Sequence, residues 1–93
     1  MQMPQLPADV QVYKTTREFD QDTVPAALLR AHTTKAGTWG RIVVRDGVLR
    51  YALSERDDAA WELRPGIVGI VEPSVPHEVT PLGAVRFVVE FLR

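Results

Sequence analysis

Apolar and polar residues alternate with a period of two along much of this chain, the pattern of strands that bury one face. From Val48 to Ser54, Leu49, Tyr51 and Leu53 fall on one face and Arg50 and Ser54 on the other. From Val85 to Leu92, Val85, Phe87, Val89 and Phe91 are set against Arg86, Val88, Glu90 and Leu92. Breakers recur at Pro25, Gly37, Gly40, Gly47, Pro65, Gly66, Pro73, Pro76, Pro81 and Gly83, too closely for helices of normal length. Further strands are predicted at Val10 to Thr15, Ala27 to Thr33, Ala59 to Arg64, Ile67 to Glu72 and His77 to Thr80. In IVVRDGVLRYAL, Ile42 to Leu53, the Asp46-Gly47 dipeptide supplies the positive φ angles of a tight turn and predicts a β-hairpin. SERDD, Ser54 to Asp58, reads as a polar turn. The helical alternative is DTVPAALLRA, residues 22–31, with Asp22 or Thr23 as cap and Pro25 in the first turn. AALLRAH is also short enough for a strand, and the strand reading is preferred. Roughly eight strands without a long helix predict an all-β sandwich or barrel.

Composition narrows the class. The chain has 93 residues, which read as a single domain over 1–93 with a mobile N-terminal arm at 1–9. Hydrophobic residues make up 45% and charged residues 25%, so a packed core is expected rather than disorder. The net charge of −1 provides no global field for nucleic acid or an anionic membrane, and neither is expected as a partner. With no cysteine, disulfides, thiol catalysis and thiolate metal sites drop out. The N-terminus has neither a basic n-region nor an apolar h-region, and no run approaches the roughly 18 apolar residues of a membrane span. A cytoplasmic location is the expectation.

The candidate chemistry rests on few residues. His32 and His77 are the only imidazoles. They lie too far apart for a helical ligand motif, so only tertiary folding brings them together. Without cysteine, a metal centre would need two histidines and a carboxylate, with positions left open for water or substrate. Glu90 is the carboxylate that stands out, because it interrupts the apolar strand FVVEFL, where an ionised group is costly unless paired or coordinated. A metal, Arg86 or a solvent-facing strand edge would each account for it. Arg41 and Trp39 share a face if a strand starts at the GTWG turn, and offer a guanidinium fork beside an aromatic wall for a small carboxylate or oxyanion. The same pair also suits a surface arginine packing its stem on an indole. No Gly-rich phosphate loop, GxSxG elbow or basic stripe with interleaved aromatics occurs.

PGIVGIVEPSVPHEV, residues 65–79, resembles the second cupin motif, in which a Gly-led turn, a β run and a Pro-containing turn deliver a metal-binding histidine. AHTTKAGTWGRIVVRDGVLRY and VEPSVPHEVTPLGAVRFVVEF together resemble the small cupin-like domain of the tellurite-resistance and YeaR-like group, over roughly residues 13–92. That domain occurs alone and at the N-terminus of some tellurite-resistance methyltransferases. The resemblance implies a cupin-like jelly-roll (double-stranded β-helix) whose pocket holds a divalent metal, zinc, iron or nickel, through His32, His77 and Glu90, with Arg41 near its mouth. It departs from the general cupin pattern in lacking the HxH pair, since Thr34 stands two residues after His32. The function it implies is binding of a metal and a small molecule or oxyanion, with a link to tellurite resistance or oxidative stress. A metal-dependent dioxygenase or isomerase acting on a small substrate, and a metal-free interaction or sensory module forming a homodimer through strand edges, are the alternatives.

Overall fold

A computed structural model describes residues 2–30 and 32–93. Among the described residues there are six strands, all paired antiparallel: β1 (Val12–Thr15), β2 (Phe19–Asp20), β3 (Trp39–Leu53), β4 (Ala60–Leu63), β5 (Gly69–Val71) and β6 (His77–Leu92). The long strands β3 and β6 pair along their whole length, from Trp39 opposite Leu92 to Leu53 opposite His77. β5 joins the first half of β3, with Ile42 opposite Gly69, and β4 joins the second half, with Tyr51 opposite Trp61. β1 and β2 pair with the second half of β6.

The chain is thus all-β and cupin-like, but two of the predicted breaks do not break it. Asp46-Gly47 makes no hairpin turn and lies inside β3, where the register shifts between Val44 and Asp46 and again between Gly47 and Leu49. The reason is visible in the alternation. Ile42 and Val44 are at even positions, whereas Leu49, Tyr51 and Leu53 are at odd ones, so a straight strand would send the two sets to opposite faces. The register shifts reset the phase, and all five side chains are buried. Gly47 takes φ 80° there, and a Cβ on it would strike the Ala84 carbonyl oxygen across the pair. On β6 the Pro81–Gly83 segment, expected to separate two strands, is absorbed in the same irregularity, with Gly83 at φ 97°. The two bent strands therefore each contain two predicted runs.

Bending brings the halves of the sheet face to face. Ile42, Val44, Val71, Phe87 and Val89 on one half share a buried cluster with Leu49, Tyr51, Leu63 and Val79 on the other. Gly69 allows the close approach, since a Cβ on it would lie 2.7 Å from Leu63 Cδ1 and 3.1 Å from Tyr51 Cδ2. The Tyr51 hydroxyl donates to the Ile70 carbonyl at 2.8 Å and ties the halves together. From the N-terminal arm, Met3 packs against this core, and its Sδ accepts the Ile70 N–H at 3.3 Å.

The strand predicted at Ala27 to Thr33 is not formed. Ala26–Leu29 is a single 3-10 turn after Pro25, closed by Leu28 N–H to the Pro25 carbonyl at 2.9 Å. Its packing follows helical spacing, as Val24 and Leu28 both lie against the core while Ala26, Ala27 and Leu29 are exposed. Ala31 lies outside the described residues, and beyond it only His32 makes strand-like contacts. The short β2 had no counterpart among the predicted strands; two residues are too few to show a period.

Candidate functional site

His77 opens β6, immediately after a turn in which Val75 N–H reaches the Glu72 carbonyl at 3.4 Å and Ser74 takes φ 63°. Its backbone forms an isolated antiparallel bridge with His32. His32 N–H donates to the His77 carbonyl at 2.8 Å, and His77 N–H donates back at 2.9 Å. This bridge brings the two imidazoles together, their centroids 5.5 Å apart and their planes at 79°. The Tyr51 ring lies 6.0 Å from that of His77 and itself stacks on Trp61 at 5.3 Å.

His77 is 3% exposed, and its Nδ1 stands 3.1 Å from the Val75 carbonyl oxygen. A carbonyl only accepts, so Nδ1 carries the proton and Nε2 keeps a lone pair. Burial, aided by the neighbouring His32, holds the His77 pKa below its ordinary value of 6.5, against the opposing effect of the Val75 hydrogen bond. His77 is therefore a neutral imidazole with one nitrogen fixed and the other available.

Both histidines line a cavity of about 40 Å³, room for a few waters, walled mainly by apolar groups such as Ile42, Val89 and Phe91. The other polar side chains in that lining are Thr16 and Thr34, and both have local partners. Thr16 Oγ1 donates to the Arg17 carbonyl at 2.8 Å and accepts the Val89 N–H at 3.0 Å. Thr34 Oγ1 donates to the Glu72 carbonyl at 3.4 Å. His32 also borders a wider cleft of about 370 Å³ between β1 and the 33–38 turn. Thr34 and Phe91 likewise border both.

The other predicted site residues do not join them. Glu90 and Arg41 pair across β6 and β3, and their neighbours in the strands, Val89 and Phe91 and Gly40 and Ile42, are the ones that line the cavity. Alternation therefore turns Glu90 and Arg41 to the opposite face, where Arg41 Nε donates to Glu90 Oε1 at 2.7 Å. The expectation of Glu90 as a third ligand with Arg41 at the pocket mouth is corrected on this geometry: an ion pair between them removes the anomaly of a carboxylate in an apolar strand. Trp39, opposite Leu92 and two residues before Arg41 on β3, does not line the cavity either. Among the described residues no three His, Asp or Glu side chains gather where they could hold a metal ion. Tyr51 and Thr34 were not singled out from sequence. The core alternation of β3 placed Tyr51 inside without saying that it would stand against His77.

The sequence profile of the TehB-like domain matches residues 14–89. Two curated relatives from Haemophilus influenzae, strains KW20 and 10810, are 34% and 32% identical over 74 residues, and each is described as a probable S-adenosyl-L-methionine-dependent methyltransferase TehB. The match takes in 75% of this chain and 26% of those relatives, so the chain spans about a quarter of their length. Among solved structures, a protein from E. coli strain K12 superposes with a TM-score of 0.87 at 20% identity, covering 98% of this chain and 97% of that one. TehB from Haemophilus influenzae superposes with a TM-score of 0.80 at 28% identity, over 91% of this chain and 32% of that one. Among the described residues no helix is long and apolar enough to cross a membrane.

Proposed function

This chain belongs to the TehB-like domain family, and from that premise we propose that it is a binding domain whose His32–His77 pocket takes a divalent transition metal together with a small ligand. The observation that carries the reading is the convergence of two imidazoles on a small cavity, with His77 held neutral and its Nδ1 anchored to the Val75 carbonyl. An anchored second nitrogen is the usual support of a metal-binding histidine. Imidazole donors suit zinc, iron or nickel and do not suit magnesium or calcium. The fit is partial, because the two histidines supply half of a four-coordinate shell and no carboxylate completes it among the described residues. When bound, the ion supplies Lewis acidity toward an oxygen of a small ligand, and an oxyanion is the ligand class that the resemblance to the tellurite-resistance group implies. The protein's own part is to orient His77, to exclude bulk water with its apolar walls, and to leave the outer side of His32 accessible.

Binding is preferred to catalysis because, among the described residues, the imidazoles are the only titratable groups in the cavity lining, and the Tyr51 hydroxyl beside His77 is engaged with the Ile70 carbonyl. A metal-free ligand pocket is the competing reading, favoured by the missing third donor. Calorimetric titration of tag-free protein with Zn²⁺, Ni²⁺ and Fe²⁺ decides between them. One ion per chain, lost in the His32→Ala/His77→Ala variant, is expected. Absence of binding by the folded protein, or equal binding by the double variant, overturns the metal reading.

A further inference from the structure

We propose that the outer cleft, between β1 and the 33–38 turn, is a separate binding site for a small organic anion, one that carries an apolar body behind its charged group. Lys14, Lys35 and Arg93 all line this cleft, and its lining contains no carboxylate side chain. In a chain with twelve acidic and eleven basic residues, that is a local excess of positive charge. Five other arginines, at 41, 45, 56, 64 and 86, are in ion pairs with carboxylates, whereas among the described residues no such pair involves Lys14, Lys35 or Arg93. The charges are thus available to a ligand.

Two of the cations are placed by structure. The turn that bears Lys35 is closed by Thr38 N–H to the Lys35 carbonyl at 3.0 Å. The Arg93 guanidinium lies over the Tyr13 ring, 3.9 Å from its centroid, and its backbone is tied to Gln11 by N–H to carbonyl contacts of 3.1 and 3.2 Å in the two directions.

The size and walls decide the class of anion. A volume of about 370 Å³ lies within the range of small-molecule sites and is far larger than a bare tetrahedral oxyanion needs. Tyr13 and Phe91 give the cleft aromatic surface, and Phe91 and His32 border the inner cavity as well. An aromatic carboxylate fits both requirements, its charged group meeting the cations and its ring meeting Tyr13 and Phe91. This inference does not rest on metal at the histidines, so its test is run in the presence of a chelator.

Amide NMR titrations of the whole chain with benzoate, its neutral analogue benzamide, and inorganic phosphate test it at constant ionic strength. Benzoate at millimolar concentration is expected to shift β1, the 33–38 turn and the end of β6 saturably, and to bind about tenfold more tightly than benzamide or phosphate. Lys14→Gln/Lys35→Gln, two exposed changes that leave the rest of the spectrum in place, is expected to weaken benzoate about tenfold. Phosphate binding as tightly as benzoate overturns the apolar requirement, and benzamide binding as tightly overturns the charge requirement. No saturable shift with benzoate, or unchanged affinity in the double variant, overturns the site itself.

Discussion

The two histidines of this chain share a backbone bridge, yet they are not equivalent. His77 is buried and hydrogen-bonded through Nδ1, whereas His32 is half-buried and faces the outer cleft as well as the cavity. Because burial lowers the His77 pKa below 6.5, the unfolded chain binds more protons than the native one just below that pH. Stability from this group is therefore complete above pH 6.5 and is lost as pH falls from there through the depressed native value. Urea unfolding followed over this range is expected to show that loss, with a contribution from His77 of at most about 1.4 kcal/mol per pH unit, and His77→Gln is expected to flatten it. Glu90 gives the opposite lesson about a single residue. A carboxylate in FVVEFL stood out in the sequence, but pairing with Arg41 across the strands supplies its partner on a face remote from the histidines. With both side chains partly exposed, Glu90→Gln is expected to lower unfolding stability by no more than about 1 kcal/mol. Metal titrations of that variant are expected to match those of the parent protein.

Strand β3 shows how a local signal acquires a different use in a longer element. Asp-Gly favours positive φ, and Gly47 does adopt it, but the chain on either side continues against one partner, β6. The bulge is what lets Ile42 and Val44 share a buried face with Leu49, Tyr51 and Leu53. Gly47→Ala combines an unfavourable φ with a collision against the backbone of Ala84, and is expected to cost about 3 kcal/mol in urea unfolding. Gly83→Ala has an equally unfavourable φ but open space around the new Cβ, so a smaller cost of about 1–2 kcal/mol is expected. If the two variants were equally destabilised, crowding at the bulge would not be what holds Gly47. The alternation of β3 and β6 was legible from sequence. Their continuity was not, because a phase change in a hydrophobic pattern looks the same at a turn and at a bulge. AALLRAH is ambiguous for a related reason, since four or five apolar residues carry too little period to separate a helical turn from a strand.

Across the molecule, one hydrogen bond joins the two halves of the folded-over sheet beneath the site. Tyr51 donates to the Ile70 carbonyl and lies between His77 and Trp61, and its burial raises its pKa far above the ordinary 10.0. Tyr51→Phe keeps the ring but strands a buried carbonyl, so a loss of about 1–2 kcal/mol is expected in urea unfolding with an unchanged denaturant slope. A changed slope would mean that the halves had separated. The all-β class and the identity of the two histidines could be read from the chain, because breaker spacing, period-two patterning and residue counts are local properties of a sequence. The pairing of His32 with His77 was an inference from family resemblance, and physically it depends on a bridge between segments far apart in the chain. The separation of Glu90 and Arg41 from that pocket, and the gathering of Lys14, Lys35 and Arg93 around a cleft, depend on strand register. Register is a long-range quantity: a shift of one residue turns every side chain of a strand to its other face, and only the folded-over sheet sets which face is in.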